Sequence, residues 1–375
     1  MFTRSQQLFT LRKFGVADPA MAALACRDPR LWPWSAASIW NTPIGRAADY
    51  RSIGLFADPH PLPDHVLHGD EDILVQLSPD DPSTPWFKQG WWGDPGGEAH
   101  CEVKSAEPYD HIPFPADAIY DHWGHNNGAG IVAADNRTLL VETQPLYRCK
   151  PDSPILSLKA HQPNRDLVTD NGTLGAHGGS GLSAVGGTLK WWELEPGSPG
   201  PRHALKLELF AREYYLAPRL GPCYRWPAIA CDGYAGNASS RLVYNGTNPL
   251  VTPGALLAIP PAVAAALPPN RTEPGGLIRR ALERFGGYLV DDTACNRFTV
   301  SVEWGLQERY AAAYPHLAPF EQNSGPFFDD LLEAFQALHV VANNAPETPG
   351  GGGGSSEPPP PPFCSPWATE EVVKS

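Results

Sequence analysis

The sequence predicts an all-β fold, a β-sandwich or jelly-roll-like domain with two accessory α-helices. Three observations point there. Turn residues are dense, with 36 Gly and 42 Pro in 375 residues. Aromatics make up 10% of the chain and charged residues only 18%. Short apolar or alternating runs recur between turn signals, whereas long stretches of helical periodicity are rare. A closed barrel and a propeller fit less well, and the uneven strand spacing argues most against the propeller.

Residues 1–30 read as a weakly helical lead-in, and 31–345 as the globular domain. The domain opens with WPWSAASIWNTPIG, where Trp32, Trp34 and Trp40 alternate with Pro33 and Pro43. That pattern predicts an extended segment pressed on a hydrophobic surface. Residues 50–120 are irregular, with short strands expected at 73–77 and 102–103. Clearer strands follow at 130–134, 138–144, 187–194, 203–210 and 256–259. The turn Asp135-Asn136-Arg137 closes a hairpin between the first two.

A helix is expected after Pro274. Leu277, Ala281, Leu282 and Phe285 form its apolar stripe, and Gly286-Gly287 stop it. A strand at 288–290, ending in Asp291-Asp292, and another at 297–304 come next. A second helix spans 327–338, with acids at its start to suit the helix dipole. Residues 346–375, a Gly tract followed by polyproline, read as a disordered tail.

The net charge of −13 argues against nucleic acid or an anionic membrane as partner. No apolar run reaches the length of a membrane span. A secretory signal is not visible, because Arg4, Arg12 and Lys13 are followed by no clean apolar core. Two features still favour an extracellular or cell-wall location. Asn136, Asn171, Asn237, Asn245 and Asn270 each begin an Asn-x-Ser/Thr sequon, although Asn, Gly and Thr also crowd into ordinary turns. The seven cysteines lack CxxC spacing. Cys223 with Cys231, and Cys101 with Cys149, are plausible disulfides, and the odd count leaves at least one free thiol. Buried unpaired cysteines are the alternative.

Four segments carry the candidate chemistry. The densest is the loop from Asp170 to Gly187, where His177 and Ser180 lie among glycines that let backbone approach a ligand closely. His177 is the best general base, since imidazole titrates near neutrality. GGSGLS is not a nucleophile elbow, because Leu182 stands where the second Gly should be. Packing of two sheets is the competing use of these glycines. The second segment, DHWGHNN, offers His122 and His125 for proton transfer and Asn126 and Asn127 for a sugar hydroxyl or a carboxylate. It reads equally as a hydrogen-bonded turn.

In the third, TLLVETQPLYR, strand alternation puts Glu142 and Gln144 on one face, followed by Tyr147 and Arg148. Arg148 would clamp a carboxylate, or else form an ordinary ion pair. The fourth is a set of acids, Asp232, Asp291-Asp292 and Glu303, from which a glycosidase pair could be drawn. His203, opening an apolar strand, reads as a satisfied core residue. Trp91 and Trp92, between glycines, are the indoles best placed to stack on sugar.

SIWNTPIG (38–45), HNNGAGIVAADNRTLLVETQPLYRC (125–149), HGGSGLSAVGGTLKWWEL (177–194), HALKLEL (203–209), YRWPA, CDGYA and GGYLVDDTA (286–294) together resemble secreted, mostly uncharacterised microbial proteins. The resemblance spans about residues 32–345. It implies a β-sandwich of the carbohydrate-active type, and it carries no catalytic residue with it.

The expected function is cleavage of a polysaccharide outside the cell. In a lyase, Asn127, Gln144 or Arg148 would neutralise a uronate, His177 or His122 would take the α-proton, and Tyr147 would protonate the leaving oxygen. In a hydrolase, two of Asp232, Asp292 and Glu303 would serve as acid and base. A lectin-like or cell-wall structural glycoprotein is the alternative. No cofactor is expected, and a metal held by His100, His122, His125 or His177 is a remote third reading.

Overall fold

The computed structural model describes residues 26–56, 66–88, 101–122, 125–134, 138–160 and 165–365. Its strands are β1 (Tyr50–Ser52), β2 (Val66–Gln76), β3 (Ser83–Lys88), β4 (Asp110–Pro113), β5 (Gly128–Val132), β6 (Leu139–Tyr147), β7 (Ile155–Ala160) and β8 (Arg165–Asp166). They continue with β9 (Leu205–Leu209), β10 (Leu256–Ala258), β11 (Gly287–Asp292), β12 (Arg297–Glu303) and β13 (His339–Val341). The helices are α1 (Trp191–Leu194), α2 (Ala211–Tyr214), α3 (Pro261–Ala264), α4 (Glu273–Arg284), α5 (Leu306–Ala313) and α6 (Pro326–Gln336).

The fold is largely β, as the composition predicts. The strands follow one hydrogen-bonded path, β1-β13-β10-β11-β9-β12-β2-β5-β6-β7-β3-β4, with β8 paired to β6. The sheet is mixed. Pairs β11·β9, β12·β2, β2·β5 and β3·β7 are parallel, and the others are antiparallel. The expected hairpin pairing is present, with Val132 opposite Leu140. Its turn, 135–137, lies outside the described residues, as do most of the lead-in and 366–375.

The largest core lies on one side of the central strands. Leu205, Leu207 and Leu209 of β9 meet Phe298, Val300 and Val302 of β12 there, together with Leu277, Ile278 and Leu282 of α4 and Leu331 and Phe335 of α6. Both expected helices are found, each a little offset from its sequence bounds. Thr272 caps α4 by accepting the Gly275 N–H at 3.1 Å. Asp330 of α6 in turn accepts from the Thr272 N–H and hydroxyl, at 2.8 and 2.7 Å, so the second helix fastens the start of the first.

Several local expectations need correction. Residues 187–194 make only a bridge, Leu189 to Val302, and then turn into α1. Glu193 accepts the Lys190 N–H at 2.8 Å, and Glu303 the Trp191 N–H at 2.8 Å, so these donors are satisfied without a strand partner. Residues 102–103 form no strand. The opening segment is turns rather than extended chain, although Trp32, Trp34 and Trp40 are buried as expected.

The Gly/Pro-rich segment up to residue 365 folds back on the domain's start. Cys364 is bonded to Cys26, the Arg27 N–H donates to Pro362 at 2.8 Å, and the Arg27 guanidinium lies 3.7 Å from the Phe363 ring centroid. Backbone hydrogen bonds from 45–47 to Gly350, Gly352 and Gly354 hold the glycine tract. Composition hides this, because the contacts use backbone and two cysteines 338 residues apart. The pairs Cys101–Cys149 and Cys223–Cys231 are disulfides, leaving Cys295 exposed and free. No described helix is long and apolar enough to cross a membrane.

Candidate functional site

The other face of the central strands is polar and equally buried. Alternation turns Lys206 and Glu208 of β9 away from the leucine core, and Asp70 and Asp72 of β2 share one side. A register shift between Leu289 and Asp291 sets Asp291 directly beside Glu208. Thr299 also pairs with Glu208, and Ser301 with Asp70. Asp70, Asp72, Glu208 and Asp291 are all at most 5% exposed.

The glycine-rich loop covers this face, and two side chains of β6 hold it down. Glu142 accepts the N–H groups of Ala176 at 3.0 Å and Ala184 at 2.7 Å, and the Ser183 hydroxyl at 2.8 Å. The Gln144 carbonyl oxygen accepts the Gly178 N–H. Approach is so close that a Cβ on Gly175 would overlap Glu142 and the backbone of Ser183. At the loop's ends Trp34 and Trp40 lie against Gly172, Gly186 and Gly187. Much of the glycine content therefore serves packing. Burial raises the Glu142 carboxyl to about 7 despite its three donors.

His177 lies at the centre, fully buried. Its Nδ1 is 3.5 Å from Asp291 Oδ2 and 3.4 Å from the Gly178 carbonyl, and its Nε2 is 3.9 Å from Glu208 Oε1. Burial first, then the Lys206 charge, lowers its pKa to about 4, so the ring is neutral. Lys206 is the cation of this face, bound to Asp72 at 2.7 Å and to the Ala184 carbonyl at 2.8 Å. Burial pushes the Asp72 carboxyl up, with Lys206 opposing it. Burial, then the carboxylates of Asp70 and Asp291, pushes Glu208 well above the usual range.

Asp232, Asp291 and Asp292 gather at the rim of this centre. A Cβ on Gly179 (φ +62°) would lie 2.9 Å from Asp291 Oδ1 and 3.3 Å from Asp232 Oδ2. Tyr244 donates its hydroxyl to Asp232 at 2.6 Å. Asp292 accepts from the Ala211 N–H at 2.8 Å and the Tyr234 hydroxyl at 3.1 Å. Burial chiefly, then the Asp232 and Asp291 charges, raises Asp292 to about 7. Asp232 is half-buried, so this end of the cluster meets solvent.

The second histidine segment borders the same strand. The Asn126 N–H donates to Asp70 at 2.7 Å, and Asn127 is fully buried with its amide donating to the His122 carbonyl at 3.0 Å. His122 turns instead to Glu71, which points away from Asp70, at 2.5 Å, and its ring lies 4.3 Å from that of Trp304. That hydrogen bond raises its pKa, against its partial burial. His125 stacks on His68 at 4.9 Å, and His68 pairs with Glu321 at 3.1 Å. The two imidazole centres are thus neighbours through consecutive residues Asp70 and Glu71, on opposite sides of β2.

Other expected residues stand apart. Arg148 is buried, and its guanidinium donates to the carbonyls of Pro115, Ser153 and Ala118, so it clamps a loop and not a substrate. Ser180 is fully buried, with its hydroxyl accepting the Leu182 N–H at 3.3 Å. Glu303 binds Trp191 and Arg309. His203 pairs with Glu193 at 3.0 Å, as a satisfied core histidine should. Tyr147 packs with Phe87 and Leu156. Burial chiefly, with the Asp70 charge, raises it to about 12, which keeps it in electrostatic reach of the centre. Trp91, Trp92 and His100 lie outside the described residues.

Sequence reasoning missed Asp70, Asp72, Lys206 and Glu208. Their signal is charge inside buried strands: Lys206 and Glu208 alternate with leucines in LKLEL, and Asp70 and Asp72 belong to the acidic run of HGDEDILVQ. Comparison with family models, with curated proteins and with solved structures returned no match.

Proposed function

We propose that the chain is a glycan-cleaving enzyme that works by hydrolysis on an uncharged sugar. The observation that carries this reading is the grouping of Asp232, Asp291 and Asp292 at the solvent edge of the polar face, where Asp291 alone reaches His177, at 3.5 Å. Asp292, protonated near neutrality, is suited to protonate a glycosidic oxygen. Asp232, the more exposed carboxylate, is suited to act as its basic or nucleophilic partner. Tyr234 and Tyr244 orient the two groups.

A uronate substrate fits this centre poorly. Its carboxylate would meet several acids, with Lys206 already bound to Asp72 and Arg148 held elsewhere. The sandwich architecture and an extracellular site of action belong to the same proposal. The disulfides and the exposure of Asn171, Asn237, Asn245 and Asn270 are compatible with secretion.

The test is a panel of neutral and uronate-bearing polysaccharides, followed by reducing ends and by ultraviolet absorbance of unsaturated products. Reducing ends without absorbance are expected, falling by about 10²-fold or more in Asp292→Asn. Absorbance on uronate substrates would replace hydrolysis by elimination, and silence on both would reject cleavage.

A further inference from the structure

We propose that Asp70, His177 and Glu208 bind a divalent cation, Zn2+ or Mn2+, at the centre of the buried polar face. This site goes beyond the proposed hydrolysis and stands whether or not the chain cleaves a glycan. One ligand atom from each residue lies within 4.8 Å of the other two, and all three residues are buried. Tetrahedral ligands about 2.1 Å from a metal are about 3.4 Å apart, so the three need to close by at most about 1.4 Å.

Three further observations point to a cation. First, His177 Nε2 is buried without a hydrogen-bond partner, and Asp70 Oδ2 has none beyond what the Glu208 side chain offers; both belong to the triad. A buried carboxylate oxygen and ring nitrogen left unpaired are costly, and a metal satisfies both together. Second, the imidazole is already oriented. Nδ1 faces Asp291 and the Gly178 carbonyl, which favours a proton there and leaves Nε2 with its lone pair directed at Glu208. A carboxylate behind a histidine is the usual support for a metal ligand. Third, the Lys206 ammonium is held by Asp72 and the Ala184 carbonyl, and the Asp70 and Glu208 side chains are left facing each other.

An imidazole with two carboxylates suits Zn2+ or Mn2+ better than Ca2+, which takes an all-oxygen shell. The other histidines make a weaker candidate, because Glu71 already bonds His122 and Glu321 already bonds His68.

The experiment uses the full chain, stripped with a chelator, dialysed, and titrated calorimetrically with Zn2+ and with Mn2+; bound metal is then counted by mass spectrometry. One ion per chain is expected. Glu208→Gln and His177→Ala should each lower affinity at least about tenfold, and Asp291→Asn, a positioning change, by about 10–100-fold. His125→Ala should leave binding unchanged. Glu208→Gln and Asp291→Asn are near-isosteric, so they decide the matter if His177→Ala does not fold. Failure of the stripped chain to take up either ion overturns the proposal. So does uptake that survives the Glu208 and Asp291 changes, or that is lost in His125→Ala. Polysaccharide cleavage is scored separately, so either reading can fail alone.

Discussion

The two faces of β9 differ in everything except burial. On one side Leu205, Leu207 and Leu209 enter an apolar core with Phe298 and Val300. On the other, Lys206 and Glu208 enter an equally dry layer of acids, hydroxyls and one imidazole. Alternation usually separates a buried face from a wet one. Here a glycine-rich loop, fastened by Glu142 and Gln144, seals the side that would otherwise be hydrated. The apolar face gains from leaving water, while the polar face loses hydration and must recover it through specific partners. A layer that costs stability and is nonetheless closed off is where chemistry is best sought.

The largest effect should come from breaking the buried Lys206–Asp72 ion pair. Lys206→Met leaves Asp72 buried opposite a methyl group and should cost about 3–5 kcal/mol in denaturant unfolding. Adding Asp72→Asn should recover part of that. Leu207→Ala, one residue away on the opposite face, should cost about 2–5 kcal/mol through a cavity, with no recovery from any charge change. If Lys206→Met costs under about 1 kcal/mol, water reaches the polar face and the contrast collapses.

The faces should also separate by pH. Glu142 and Asp292 are held protonated up to about 7 in the folded chain, whereas unfolded carboxyls ionise near 4. Between those values the folded state carries the extra protons, so stability falls as pH rises from about 4 to about 7. The slope is at most about 1.4 kcal/mol per pH unit for each group. Asp292→Asn should flatten its share of the slope. Leu207→Ala should lower the whole curve without changing its shape. Unfolding free energies at a series of pH values check both.

The smallest effect concerns a hydroxyl. Thr299 Oγ1 is buried without a partner, so Thr299→Val, nearly the same shape, should stabilise by about 1 kcal/mol. A loss of similar size in thermal unfolding would mean that the hydroxyl has a partner the geometry does not reveal.

Much of this layout is legible in the sequence. Helix α4 announced itself through its apolar stripe and Gly286, and the 130–144 hairpin through its turn. Cys223–Cys231 is local, and Cys101–Cys149 spans strand-forming sequence. His177 stood out because its glycines are dense. The loop's anchors are half visible in the sequence: alternation puts Glu142 and Gln144 on one face, but Gln144 reads as a substrate contact and Glu142 is given no role of its own in the loop. Arg148 misled because a guanidinium that binds backbone carbonyls looks the same in sequence as one that waits for a ligand.

Periodicities, turns and the residue types that can move protons are set by the chain alone, because they depend on neighbours within a few positions. Which acids meet His177 was decided only in three dimensions. Asp70, Glu208 and Asp291 come from strands far apart in the chain, aligned by sheet register and one bulge. Their protonation follows from the dryness that the covering loop imposes, and a one-residue slip in any of those strands would turn its carboxylate to the opposite face.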